Sequence, residues 1–177
     1  MFRKYDLDHV LPACFNSSMV KKKTFAGIAG TAFLLAGLMA AGEQVSSIAS
    51  TPIHQEVEYK ASPQRIYKAL LDSKQFAAFT GNPAQIHAEA GGAFSCFGGR
   101  VIGRNIELVP NQRIVQAWRL TEWPEGVYSI ARFELKAQGS GTRLIFDHVG
   151  FAAEDREHLD PGWHQMYWDP LRKYLGD

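Results

Sequence analysis

GGAFSCFGGRVIGRNIELVPNQRIVQAWRLTEWPEG, residues 91–126, reads as three antiparallel strands joined by short turns. Its paired glycines stand where a sheet must reverse sharply, because glycine adopts the positive φ that other residues avoid. It ends on two tryptophans, Trp118 and Trp123, which a sheet must bury against something. The predicted element is a bent antiparallel sheet with one strongly apolar face.

Working outward, the strands are expected at 84–89, 91–97, 100–108, 113–121, 127–137 and 142–149, with turns rich in Gly, Pro and Asn between them. Ser129, Ala131, Phe133 and Leu135 share one face of their strand with Val127, while Arg132, Glu134 and Lys136 share the other. Thr142, Leu144, Phe146 and His148 likewise share a face. Upstream, IHQEVEYKA from Ile53 alternates strictly and reads as a half-buried strand. Ser62-Pro63 then offers an N-cap followed by proline at N1, opening a helix with Ile66, Tyr67, Leu70 and Leu71 on one side. A second short helix, Ser73–Phe79, stops at Gly81-Asn82-Pro83. Downstream, a polar turn at 153–159 leads to Asp160-Pro161, read as N-cap and N1 of a long helix. Trp163, Met166, Tyr167, Leu171 and Tyr174 form its apolar stripe. Pro170 lies inside that helix, lacks a backbone donor and predicts a kink.

The sequence of 177 residues accommodates one globular domain and an extension. A net charge of +1 gives no basic stripe for nucleic acid. Five basic residues and only Asp6 and Asp8 precede Glu43, so the remainder is about −2. Lys21-Lys22-Lys23 is followed by an uncharged run to Glu43 that ends on small residues, Ala40-Ala41-Gly42. That is the pattern of a signal peptide, with cleavage after Gly42 or Ala49, or of an uncleaved membrane anchor. Met19 is the alternative start to Met1. The expected organisation is an extension and leader at 1–42, a polar linker at 43–52 and a domain at 53–177. The expected location is outside the cytoplasm, as a periplasmic, secreted or membrane-anchored domain. With the leader removed Cys96 has no cysteine partner, since Cys14 precedes the leader, and it reads as a small buried hydrophobe.

From Ile53 to Leu175 the chain resembles the START-like (SRPBCC) helix-grip superfamily, and within it the C-terminal domain of activators of heat-shock protein 90 ATPase and their bacterial homologues. The resemblance rests on Ser62-Pro63-x-x-Ile66-Tyr67, Phe79-Thr80-Gly81, Gly91-Gly92-Ala93-Phe94 and Gly98-Gly99-x-Val101-x-Gly103. It continues through Glu107-Leu108-Val109-Pro110, Ile114-Val115-Gln116-Ala117-Trp118-Arg119, Trp123-Pro124-x-Gly126-x-Tyr128, Gly141-Thr142-Arg143-Leu144 and Gly162-Trp163. It implies an α+β fold: a curved antiparallel sheet wrapped around a long C-terminal helix, with two short helices after the first strand. It also implies either a cavity between sheet and helix or a co-chaperone-like protein-interaction module. The residues before Ile53 are read as leader and linker, not as the N-terminal domain of the eukaryotic co-chaperones. Gly99-Arg100-Val101 also departs from the Gly-Asn-Val frequent in those relatives.

The expected function is therefore non-catalytic binding of a small apolar or aromatic molecule or a lipid, with a protein partner as the alternative. Phe94, Trp118, Phe133, Phe146, Trp163 and Tyr167 are the candidate ligand-binding residues, with His148 as their polar contact; the other reading is that they fill the core. An enzyme of the same superfamily is the third possibility. It would need a partner for His148, and Asp147 faces the opposite side of the strand. Glu89 and Arg119 are the groups that would have to meet it across the interior. The sequence has no Gly-x-Ser-x-Gly elbow, phosphate loop or His-x-x-x-His pair, and its six histidines are scattered, so neither metal nor cofactor is expected.

Overall fold

The computed structural model describes residues 51–177. The leader read at 1–42, most of the linker and Cys14 lie outside the described residues.

Seven strands form one antiparallel sheet: β1 (Ile53–Tyr59), β2 (Gln85–Ile86), β3 (Ala93–Cys96), β4 (Val101–Val109), β5 (Arg113–Leu120), β6 (Ser129–Gln138) and β7 (Gly141–Val149). Their order is β1-β7-β6-β5-β4-β3-β2, so β2 to β7 form a meander and β1 closes against the last strand. Ile53 stands opposite His148 and Tyr59 opposite Thr142. This register turns Ile53, Gln55, Val57 and Tyr59 inward, as the alternation predicts.

Between β1 and β2 lie α1 (Pro63–Leu71) and α2 (Ser73–Thr80). The Ser62 hydroxyl accepts from the Arg65 amide at 3.4 Å and Pro63 occupies the first turn. Asp72 ends α1 by turning extended, then caps α2, its Oδ1 accepting from the Lys74 and Gln75 amides at 3.0 and 2.9 Å. Gly81, left-handed at φ 69°, stops α2.

The decisive stretch bends as its glycines require. Phe97, Gly98 and Gly99 all have positive φ in the reversal from β3 to β4. Gly103 sits opposite Phe94, and a Cβ there would lie 2.0 Å from the Ala117 carbonyl and 2.5 Å from the Phe94 ring. A bulge between Asn105 and Glu107 then shifts the register and leaves Ile106 exposed.

The C-terminal helix differs from expectation. It begins at Arg156, after a 3-10 turn at Ala153–Asp155, so Asp160 is no cap and Pro161 lies inside the helix. Helical geometry runs through α3 (Arg156–Trp163), a π turn (His164–Trp168) and α4 (Asp169–Leu175). The His164 amide reaches the Pro161 carbonyl, three residues back, and the Asp169 amide reaches His164, five back. These irregular hydrogen bonds lie between Pro161 and Pro170, the proline at which the sequence predicts a kink. They also shift the buried stripe. Trp163, Tyr167, Trp168, Leu171 and Leu175 are buried, whereas Met166 and Tyr174 are partly exposed.

Two polar side chains of the sheet hold this helix. Gln55 donates from Nε2 to the Asp160 carbonyl and carboxylate at 2.8 and 2.7 Å, and its Oε1 accepts from Trp168 Nε1 at 2.6 Å. His148 holds it from β7, through Trp163.

Candidate functional site

The seven residues singled out from the sequence all lie on the inner face or on the helix facing it, and all are buried. They do not surround one central cavity. The Phe146 ring centroid lies 4.2 Å from Trp163 and 5.0 Å from Phe133, and Trp163 lies 4.4 Å from Tyr167. Phe94 and Phe133 border only a void of about 10 Å³, too small for a ligand. Phe146 and His148 have no exposed surface and border neither that void nor the groove between α3 and the β3–β4 reversal. These four side chains pack against their neighbours in the interior.

His148 sits in a chain of hydrogen bonds whose proton positions follow from chemistry. Trp163 Nε1 can only donate, so at 3.1 Å it fixes His148 Nδ1 as an acceptor. The proton of the neutral ring is then on Nε2, which donates to Ser129 Oγ at 2.7 Å. Ser129 Oγ donates onward to the Trp118 carbonyl at 2.9 Å. The chain thus fastens helix, β7, β6 and β5 together with every partner satisfied. Burial lowers the His148 pKa to about 3, so the ring is neutral at physiological pH.

That arrangement is unsuited to nucleophilic catalysis. A base activating Ser129 would need a free Nε2 lone pair and a carboxylate on Nδ1. Here Nε2 carries the proton and Nδ1 faces an indole. Glu89 and Arg119 do not meet the ring. Glu89 is exposed, and the Arg119 guanidinium bonds the carbonyls of Leu120 and Trp123 and lies over Tyr128. Cys96 is buried, and burial pushes its thiol up to about 12, which makes it a poor nucleophile.

An apolar, aromatic-walled space lies at one end of the grip. A groove of about 480 Å³ opens between the β3–β4 reversal, the end of β5 and α3. Trp118, Trp163 and Tyr167 form its inner wall, joined by Phe97, Val101, Leu120 and Leu159, which the sequence reading did not single out. Arg100, Glu122, Asp155 and His158 also line it. Burial raises the Asp155 carboxyl above its ordinary range, Glu154 and Glu122 add to that, and His158 and the Trp123 indole oppose it. Gly162 borders the groove from the helix, and a Cβ there would meet no atom within 4 Å. The Gly162-Trp163 pair is legible as a motif, but only the fold brings it to the same groove as Phe97, Arg100 and Val101.

One feature of the wall is unusual for a packed interior. The buried indole nitrogens of Trp118 and Trp123 stand beside the Tyr167 hydroxyl and the Asp155 carboxylate without closing a hydrogen bond of ordinary geometry. Their rings lie edge to face, centroids 5.6 Å apart. Burial, and secondarily Cys96, raise the Tyr167 phenol well above its ordinary pKa, with the nearby Trp118 indole opposing. The two groups are neighbours without closing a hydrogen bond.

Comparison with known proteins places this geometry in context. The family model "Activator of Hsp90 ATPase homolog 1-like protein" matches residues 60–176. The human activator of 90 kDa heat shock protein ATPase homolog 1 is 30% identical over 118 residues, which cover 67% of this chain and 35% of that protein. An uncharacterised protein of Schizosaccharomyces pombe is 31% identical over 148 residues, 83% of this chain and 44% of the relative. The chain thus spans less than half the length of these curated relatives. Among solved structures, an HSP90 activator from Plasmodium falciparum superposes with a TM-score of 0.68 at 24% identity, covering 72% of this chain and 97% of that one. A protein from Chromobacterium violaceum gives 0.59 at 26% identity, covering 71% and 98%.

Proposed function

The chain belongs to the activator of Hsp90 ATPase homolog 1-like family, and from that premise we propose that its domain binds a small apolar molecule without transforming it. The observation that carries this reading is the groove at the end of the grip. Its volume of about 480 Å³ falls within the ~300–1,000 Å³ of small-molecule sites. Three of the seven expected residues, Trp118, Trp163 and Tyr167, line it. Gly162 supports the same reading, because an interior helical glycine costs about 1 kcal/mol relative to alanine. No neighbour within 4 Å of its Cβ position demands that cost, whereas an occupant of the groove would.

Native mass spectrometry and solvent extraction of the purified protein test the proposal, with the Gly162→Leu variant as control. An apolar molecule should accompany the wild type and be missing from the variant. A ligand-free wild type that takes up no hydrophobic probe would refute it. The domain's place of action is proposed to be outside the cytoplasm, supported by Lys21-Lys22-Lys23 and the uncharged run to Glu43. Fractionation with an antibody to the domain checks this, and a wholly cytosolic product would overturn it.

A protein-binding role like that named for the relatives is the second reading. It is supported by exposed Val127, Tyr128, Ile130 and Val149, with Ile130 directly opposite Val149 on the outer face of the sheet. Capture of a 90 kDa heat-shock protein by the full chain, lost in an Ile130→Lys, Val149→Lys variant, would favour it.

A further inference from the structure

The groove has an apolar floor and a charged rim. Trp118, Leu159, Trp163 and Tyr167 on the floor are buried, whereas Arg100, Glu122 and His158 are exposed at the edge and Asp155 is half-buried there. The carboxylates of the rim are uncommitted. Acids on the outer face of the sheet are paired, Glu56 with Arg143, Glu107 with Arg113 and Glu134 with Arg132. Glu122 and Asp155 form no ion pair among the described residues.

Asp155 is singular in a second way. It stands at the start of α3, as Asp72 does at the start of α2, yet its side chain makes no capping hydrogen bond. It borders the groove instead. Burial holds its carboxyl above the ordinary range, and Glu154 and Glu122 push it further, with His158 and the Trp123 indole opposing. Arg100 is not among the charges that act on it. An opposite charge brought beside such a group relieves it, and a further carboxylate would aggravate it. The floor selects shape: ring centroids of Trp118 and Trp163 lie 5.6 Å apart and those of Trp163 and Tyr167 4.4 Å, an aromatic surface for a flat body. We infer that the groove takes a molecule with a flat apolar body and one cationic amine, the body against Trp118, Trp163 and Tyr167 and the amine beside Glu122 and Asp155. The inference rests on the ligand-binding reading above.

Three probes carrying the same ring on a one-carbon stem test it on the full chain by calorimetric titration: 2-(aminomethyl)naphthalene, 2-(hydroxymethyl)naphthalene and 2-naphthylacetate. At pH 7.5 they present a cation, a neutral polar group and an anion. The amine should bind about three- to tenfold more tightly than the alcohol, the attraction expected of two partly exposed carboxylates. The naphthylacetate should bind most weakly. In Glu122→Gln, Asp155→Asn the amine and the alcohol should bind equally. Glu122→Lys, a change at an exposed position, should cost the amine its lead and bring the naphthylacetate closer to the alcohol. Equal affinity for amine and alcohol in the wild type, or an amine preference that survives the double variant, overturns the cation inference while leaving the groove as a ligand site. Tightest binding of the naphthylacetate also overturns it. If none of the three binds, the ligand-binding reading falls with it.

Discussion

Acidification should unfold this domain through one buried ring. Between the unfolded-state pKa of about 6.5 for histidine and the folded value of about 3 for His148, the unfolded chain binds a proton that the native state refuses. Stability therefore falls as pH falls, by about 1.4 kcal/mol per pH unit across that window. The whole window is worth about 5 kcal/mol, comparable to the entire stability of a modest domain. Above neutral pH the contribution is complete and flat. The cause is desolvation: the neighbours of His148 are Ser129, Trp118, Phe146, Phe151 and Trp163, with no carboxylate to stabilise an imidazolium. Exposed His54 has the opposite sign, because Asp147 raises its pKa and favours its protonated form in the native state. Its effect is common to wild type and variant, so it cancels in a difference. Urea unfolding followed by tryptophan fluorescence from pH 4.5 to 7.5 should show a steeper dependence for wild type than for His148→Gln. The variant starts lower, by about 1–3 kcal/mol at pH 7, because it disturbs the Trp163 and Ser129 hydrogen bonds. Parallel slopes, or an NMR titration of His148 with a midpoint near 6.5, would show the argument to be wrong.

Other expectations follow from single positions. Gly103→Ala should destabilise by at least about 2 kcal/mol, since the new Cβ meets the Ala117 carbonyl and the Phe94 ring; thermal unfolding measures it, and an unchanged midpoint would mean the sheet relaxes freely there. Gly162→Ala should instead stabilise by up to about 1 kcal/mol, because its Cβ enters open space on a helix. Cys96 should resist a thiol reagent at pH 8 until the protein unfolds, given a thiol held at about 12 by burial; rapid labelling of the folded protein would contradict that. Gln55→Leu should cost about 1–3 kcal/mol, because Trp168 Nε1 loses its acceptor in a buried position.

Local chemistry made most of the fold legible. The alternation of Ile53–Tyr59, the Ser62-Pro63 cap and the glycine-marked reversals each report on a few adjacent residues, and each appears where expected. The C-terminal helix was harder because its start is set by tertiary contact. Asp160 has the credentials of a cap but spends its carboxylate on Gln55, 105 residues away. The π turn is invisible to a 3.6-residue period, which places Met166 and Tyr174 on the apolar stripe and misses Trp168. The site divided in the same way. Aromatic residues announce burial, yet whether a buried ring faces a neighbour or a groove depends on residues far apart in sequence. Phe146 and Trp118 look alike in their strands; only the second stands beside Gly162 of the helix and Val101 of the next strand.

The pairing of β1 with β7 has a kinetic consequence. The first strand finds its hydrogen-bonding partner about ninety residues later, and Gln55 meets Trp168 across 113 residues. Contacts this distant bear the full entropy of loop closure before they return anything, so they should form late. A ribosome still holding residues 158–177 would hold back Trp163, Trp168 and Leu171, leaving the meander with its apolar face bare. Folding of this domain should thus wait for its last helix, and deleting residues 172–175 should harm assembly more than the few buried side chains removed would indicate.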